Sequence, residues 1–114
     1  MSVVTPFPRP GDGRQLASFD RREFMTILDL YGRMVAAGHW RDYAIRVDGD
    51  VAVFAAFRRT AENPEIRIEK RPRLARRQGA WALVAEHGQV LKRGHELSYV
   101  LAPLERRLIR LVRD

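Results

Sequence analysis

The chain has 114 residues, no cysteine and a formal charge of +7, so a single core can form unaided, while disulfides, thiolate metal sites and cysteine nucleophiles are excluded. Neither an arginine- or lysine-led apolar leader nor a run of ~18 apolar residues is present, so the expectation is a cytoplasmic protein that does not enter membranes. The charge is uneven: residues 58–93 carry ten basic and four acidic side chains, whereas residues 1–57 balance at seven and seven, and a basic segment of this kind suits a polyanionic partner.

Residues 1–18 contain Pro6, Pro8, Pro10, Gly11 and Gly13 and little apolar pattern, and are read as a flexible leader. The folded domain is placed at 19–114. Asp20 can cap a helix, Glu23 can close a capping box, and Phe19 can staple onto Phe24. Phe24, Ile27, Leu28, Tyr31, Met34 and Val35 then repeat at helical spacing, and Gly38 supplies a left-handed stop, which predicts a helix at about 21–37.

From Trp40 the period becomes two. Tyr43, Ile45 and Val47 form one strand, Val51 to Phe57 a second, and Asp48-Gly49-Asp50 the hairpin turn between them. Phe54 and Phe57 fall on opposite faces, which marks the second strand as an interior one. Glu65 to Lys70 alternates as a third strand. The run 70–77 has five positive charges and no acid, and Pro72 makes it an exposed loop or short turn rather than a strand. Ala80 to Ala85 and Val90 to Arg93 complete a sheet of four or five strands. Leu97, Val100, Leu101, Leu104, Leu108 and Leu111 recur at helical spacing with arginines toward the C-terminal end. Pro103 interrupts them at a cost of ~3 kcal/mol, which predicts a kink or two shorter helices around Ala102. The fold class is α+β: an antiparallel sheet of four to five strands with an N-terminal and a C-terminal helix packed on one face.

Leu30-Tyr31-Gly32-Arg33-Met34-Val35-Ala36-Ala37-Gly38 running into Trp40-Arg41-Asp42-Tyr43, together with Leu74-Ala75-Arg76-Arg77-Gln78-Gly79 and Leu91-Lys92-Arg93-Gly94-His95-Glu96-Leu97, resembles the bacterial, chiefly alphaproteobacterial, domain-of-unknown-function family 2794. Ala52-Val53-Phe54, Phe57-Arg58-Arg59 and Ile68-Glu69-Lys70 extend the resemblance, which spans about 19–110. It implies no activity and no site residues.

The candidate sites are few. Glu86-His87-Gly88 and Gly94-His95-Glu96 mirror each other, but a strand between them would hold the histidines roughly 17 Å apart, too far to share a metal. His39 reads as part of a helix-to-strand corner, since no serine or acid stands at a recognisable spacing from it. No phosphate-loop string is present, and Ser2, Ser18 and Ser98 do not sit on a nucleophile elbow. The expectation is therefore a protein without metal or cofactor, and a binding module rather than an enzyme. Its reading is contact with nucleic-acid phosphates, without strong sequence preference, through Arg58, Arg59, Lys70, Arg71, Arg73, Arg76, Arg77, Lys92 and Arg93. The alternative is a protein-interaction or regulatory adaptor for an acidic partner, with Trp40, Trp81 or another exposed aromatic as anchor.

Overall fold

The computed structural model describes residues 17–59 and 63–113. Most of the leader, with Pro6 to Gly13, lies outside them. Asp20 Oδ1 accepts the Glu23 amide at 2.8 Å and Glu23 Oε1 accepts the Asp20 amide at 2.9 Å, so the capping box forms and α1 runs Arg21–Ala36. Its end is a Schellman closure. Gly38 at φ 77° sends its amide to the Val35 carbonyl, and His39 sends its own to that of Met34, an arrangement that needs the left-handed residue. The buried stripe is Ile27, Leu30 and Met34. Leu30 joins it in place of Val35, which is exposed, because positions 27, 30 and 34 lie closest to one line along the helix.

Five strands follow: β1 (Asp42–Asp48), β2 (Val51–Phe57), β3 (Ile66–Lys70), β4 (Trp81–Ala85) and β5 (Val90–Gly94). They form one antiparallel meander in the order β1-β2-β3-β4-β5. The register places Ile45, Phe54, Ile68, Leu83 and Lys92 in one cross-strand row, and residues directly opposite share a face. That face is the covered one. Phe54, Ile66, Ile68, Trp81 and Leu83 join Ile27, Leu30 and Met34 of α1 and Val100, Leu101, Leu104 and Leu108 of α2 (Leu97–Arg113) in a single core. Both helices thus pack on the same side of the sheet, as the sequence predicts. The other side presents Ala44, Val53, Ala55, Ala82 and Val84 among Arg46, Arg67, Glu69 and Arg93. The pairing shifts from Leu83–Lys92 to Val84–Val90, which leaves Leu91 as the extra residue of a bulge in β5.

Two expectations change, and Phe19 makes a contact that the sequence did not announce. Ala17 and Ser18 belong to the domain rather than to the leader: Ala17 is buried and donates to the Gly49 carbonyl at 3.2 Å, and the Ser18 carbonyl accepts from Lys70 Nζ at 2.9 Å. Phe19 stacks on Trp81 with ring centroids 6.0 Å apart, so its ring serves the contact between helix and sheet. The last helix is continuous through Pro103. Val100 and Leu101 before the proline and Leu104 and Leu108 after it are all buried in the core, and the carbonyl deprived of its helical donor is that of Tyr99, an exposed residue.

Candidate functional site

The meander sorts the polar side chains into two ends. At one lie the β1–β2 turn, the β3–β4 connection and the start of both helices; at the other lie the α1–β1 corner, the β2–β3 connection and the β4–β5 turn. Residues Arg71 to Arg77 fall at the first end and Arg58 and Arg59 at the second. Seven residues of β2 separate them, roughly 20 Å at ~3.3 Å per residue. The nine predicted contacts therefore do not form one patch.

At the first end the basic connection is a tight fold. A 3-10 turn at Pro72–Leu74 follows Arg71. Arg71 donates its amide to the Ala80 carbonyl at 2.7 Å, Ala75 to Pro72 at 3.1 Å, Arg77 to Leu74 at 3.0 Å and Gly79 to Leu74 at 2.9 Å. His95 Nδ1 lies 3.1 Å from the Ala75 carbonyl, so this ring nitrogen carries the proton and donates, bracing the turn from the start of α2. Gly79, at φ 101°, rests against the Gly94 carbonyl, where a Cβ would overlap it. The turn is thus pinned on both sides, and its arginines project from a fixed backbone. Arg76 and Arg77 are exposed and have no ion pair among the described residues. Arg71 approaches Glu69 at 3.6 Å and Arg73 approaches Asp50 at 3.9 Å, both loose contacts.

The remaining predicted residues divide. Lys70 is engaged in the fold: Nζ donates to the Ser18 carbonyl at 2.9 Å and to Glu23 Oε1 at 2.7 Å, and it sits 5.6 Å from the Trp81 ring centre. Lys92 lies 4.1 Å over the Tyr99 ring, on the helix-covered face. Arg93 lies on the opposite face, its Nη1 buried without a hydrogen-bond partner among the described residues. The tryptophans expected as adaptor anchors are core residues, Trp40 at 2% and Trp81 at 5% exposure.

At the second end, sequence reasoning missed a cluster. Glu65 Oε1 accepts from Trp40 Nε1 at 2.9 Å and from Arg107 Nη1 at 3.0 Å, and His39 Nε2 lies 3.0 Å away. Arg58 Nε approaches the other carboxylate oxygen at 3.8 Å. His39 thus has an acidic partner after all, 26 residues away in sequence and beyond any local spacing rule. Beside this cluster opens a cleft of about 500 Å³ lined by Gly38, His39, Arg41, Arg58 and Arg59. Its described lining is cationic, and such a lining attracts anions. Among the described residues no group of three or more histidine and carboxylate side chains could hold a metal ion. No helix among them is long and apolar enough to cross a membrane.

No curated protein and no solved structure matches the chain. Residues 17–101 match the family described as protein of unknown function DUF2794, a span that takes in α1, the whole sheet and the start of α2 and stops short of Arg107. The chain belongs to that family.

Proposed function

We propose that this domain is a small basic binding module that contacts nucleic-acid phosphates, without strong sequence preference, through the turn at Arg71–Arg77. The observation that supports the reading is the turn itself: four arginines on a backbone pinned by hydrogen bonds to Ala80 just before β4, from His95 just before α2 and among its own residues, with Arg76 and Arg77 exposed and unpaired among the described residues. A guanidinium fork pairs with phosphate in a bidentate manner, and contacts of this kind fix position while carrying little sequence information. A fixed backbone also lowers the ordering cost of binding. Lys70 drops out of the contact set because Glu23 and Ser18 hold it.

Backbone amide shifts in an ¹⁵N-labelled sample test the reading directly. Adding a short duplex DNA or an equally long single-stranded RNA at low salt is expected to move Arg73 to Gly79 and the adjoining Asp50 and His95. Perturbation confined to other surfaces, or none with either polymer, refutes the proposal and leaves an acidic protein partner as the better reading.

A further inference from the structure

We infer that the cleft at the α1–β1 corner is a separate anion site that takes a phosphomonoester, with Arg41 and Arg58 as its charge contacts. The proposal is independent of the arginine turn, which lies at the opposite end of the sheet.

Local charge is the first argument. Arg41, Arg58 and Arg59 all line the cleft, and Arg107 adjoins it through Glu65. Glu65 touches the lining residues His39 and Arg58, and its carboxylate is already committed. One oxygen serves Trp40, Arg107 and His39, and the other reaches Arg58 only at 3.8 Å. Arg41 has no acidic partner among the described residues, and the Arg58 side chain is 63% exposed. Cations converging on one concave surface raise its potential, and a bound anion relieves their repulsion.

Shape and rigidity are the second argument. The cleft volume of about 500 Å³ falls within the roughly 300–1,000 Å³ of small-molecule sites. Its described lining has no apolar side chain, so recognition there is ionic and polar. The walls are held before any ligand arrives: the Arg41 amide donates to the Phe57 carbonyl at 2.8 Å, the Glu65 amide to that of Ala56 at 2.9 Å, and His39 closes the Schellman motif onto Met34. Two guanidinium groups approaching from neighbouring segments suit a dianion with three free oxygens on one phosphorus. A lone carboxylate is satisfied by one fork. Such a group is found on a mononucleotide and at the end of a nucleic-acid strand alike.

Titration calorimetry with inorganic phosphate, a nucleoside monophosphate, and an oligonucleotide with or without a 5′-phosphate tests this. Wild-type protein is compared with Arg41→Gln/Arg58→Gln and with Arg76→Gln/Arg77→Gln, each confirmed to unfold cooperatively. Saturable binding of phosphate or the monophosphate, weakened at least tenfold in the cleft variant and unchanged in the turn variant, supports the site with a small-molecule ligand. A 5′-phosphate preference that only the cleft variant loses supports it with a strand end. No saturable binding of phosphate or the monophosphate and no 5′-phosphate preference, or a phosphate affinity or 5′-phosphate preference that survives Arg41→Gln/Arg58→Gln, overturns it.

Discussion

Lys70 Nζ donates to Glu23 Oε1 at 2.7 Å, tying the last residue of β3 to the first turn of α1. Glu23 belongs to the capping box at the same time, so one carboxylate serves both the helix start and the sheet. The pair is largely buried, with side-chain exposures of 17% and 22%, and little solvent is available to replace a lost partner. Lys70→Ala should therefore destabilise the domain by about 1.5–3 kcal/mol. Arg76→Ala, six residues on, should stay within about 0.5 kcal/mol. Urea unfolding of the two variants checks the contrast, and equal midpoints would contradict it.

The cap itself is a second test. Asp20→Ala removes the acceptor of the Glu23 amide and should cost about 0.5–2 kcal/mol. An unchanged thermal midpoint would mean that another group satisfies that amide.

Two glycines should respond in opposite directions to alanine. Gly79 has φ 101°, and a Cβ there would overlap the Gly94 carbonyl and come within 2.7 Å of the His95 amide nitrogen. Strain and overpacking each cost roughly 1–3 kcal/mol, so Gly79→Ala should lose about 2–6 kcal/mol. Gly32, in the middle of α1, has nothing within 4 Å of such a Cβ, and Gly32→Ala should gain about 0.5–1 kcal/mol in helix stability. Melting curves of the pair decide this.

Tyr31 provides a pH test. Burial first, then the charges of Asp42 and Tyr43, raise its phenol above the ordinary 10.0. Above about pH 10 the unfolded chain ionises this group while the folded chain keeps the proton, so stability is lost as pH rises through that range. Tyr31→Phe lacks this loss. The stability difference between wild type and variant should be constant from pH 7 to 9 and move in favour of the variant above about pH 10. A flat difference across the whole range would contradict the assignment.

The parts of this fold that could be read in advance are those fixed over short stretches of chain. Asp20 and Glu23 stand three apart, Gly38 directly ends the helical stripe, and the switch to alternation at Trp40 needs only neighbouring residues. Such signals precede tertiary structure. What could not be read depends on distant partners. Nothing near Lys70 in sequence announces a carboxylate 47 residues away, and the cluster on Glu65 gathers His39, Trp40 and Arg107 from 26, 25 and 42 residues off. The two-helix alternative at Pro103 failed for the same reason, since the local cost of proline was outweighed by leucines buried on either side of it. Counting charge located the basic segment, but only the strand order shows that Arg58 and Arg59 lie at the far end from it.

The salt dependence of nucleic-acid affinity tests the central claim most directly. Each phosphate neutralised on duplex DNA contributes about −0.9 to the slope of log affinity against log salt, so contacts from Arg71, Arg73, Arg76 and Arg77 give a slope of about −3 to −4. Arg76→Gln/Arg77→Gln should bring it about 2 units closer to zero and weaken binding to unrelated sequences equally. An unchanged slope in that variant, or no binding by the wild-type protein to any duplex or single strand at low salt, would contradict the account.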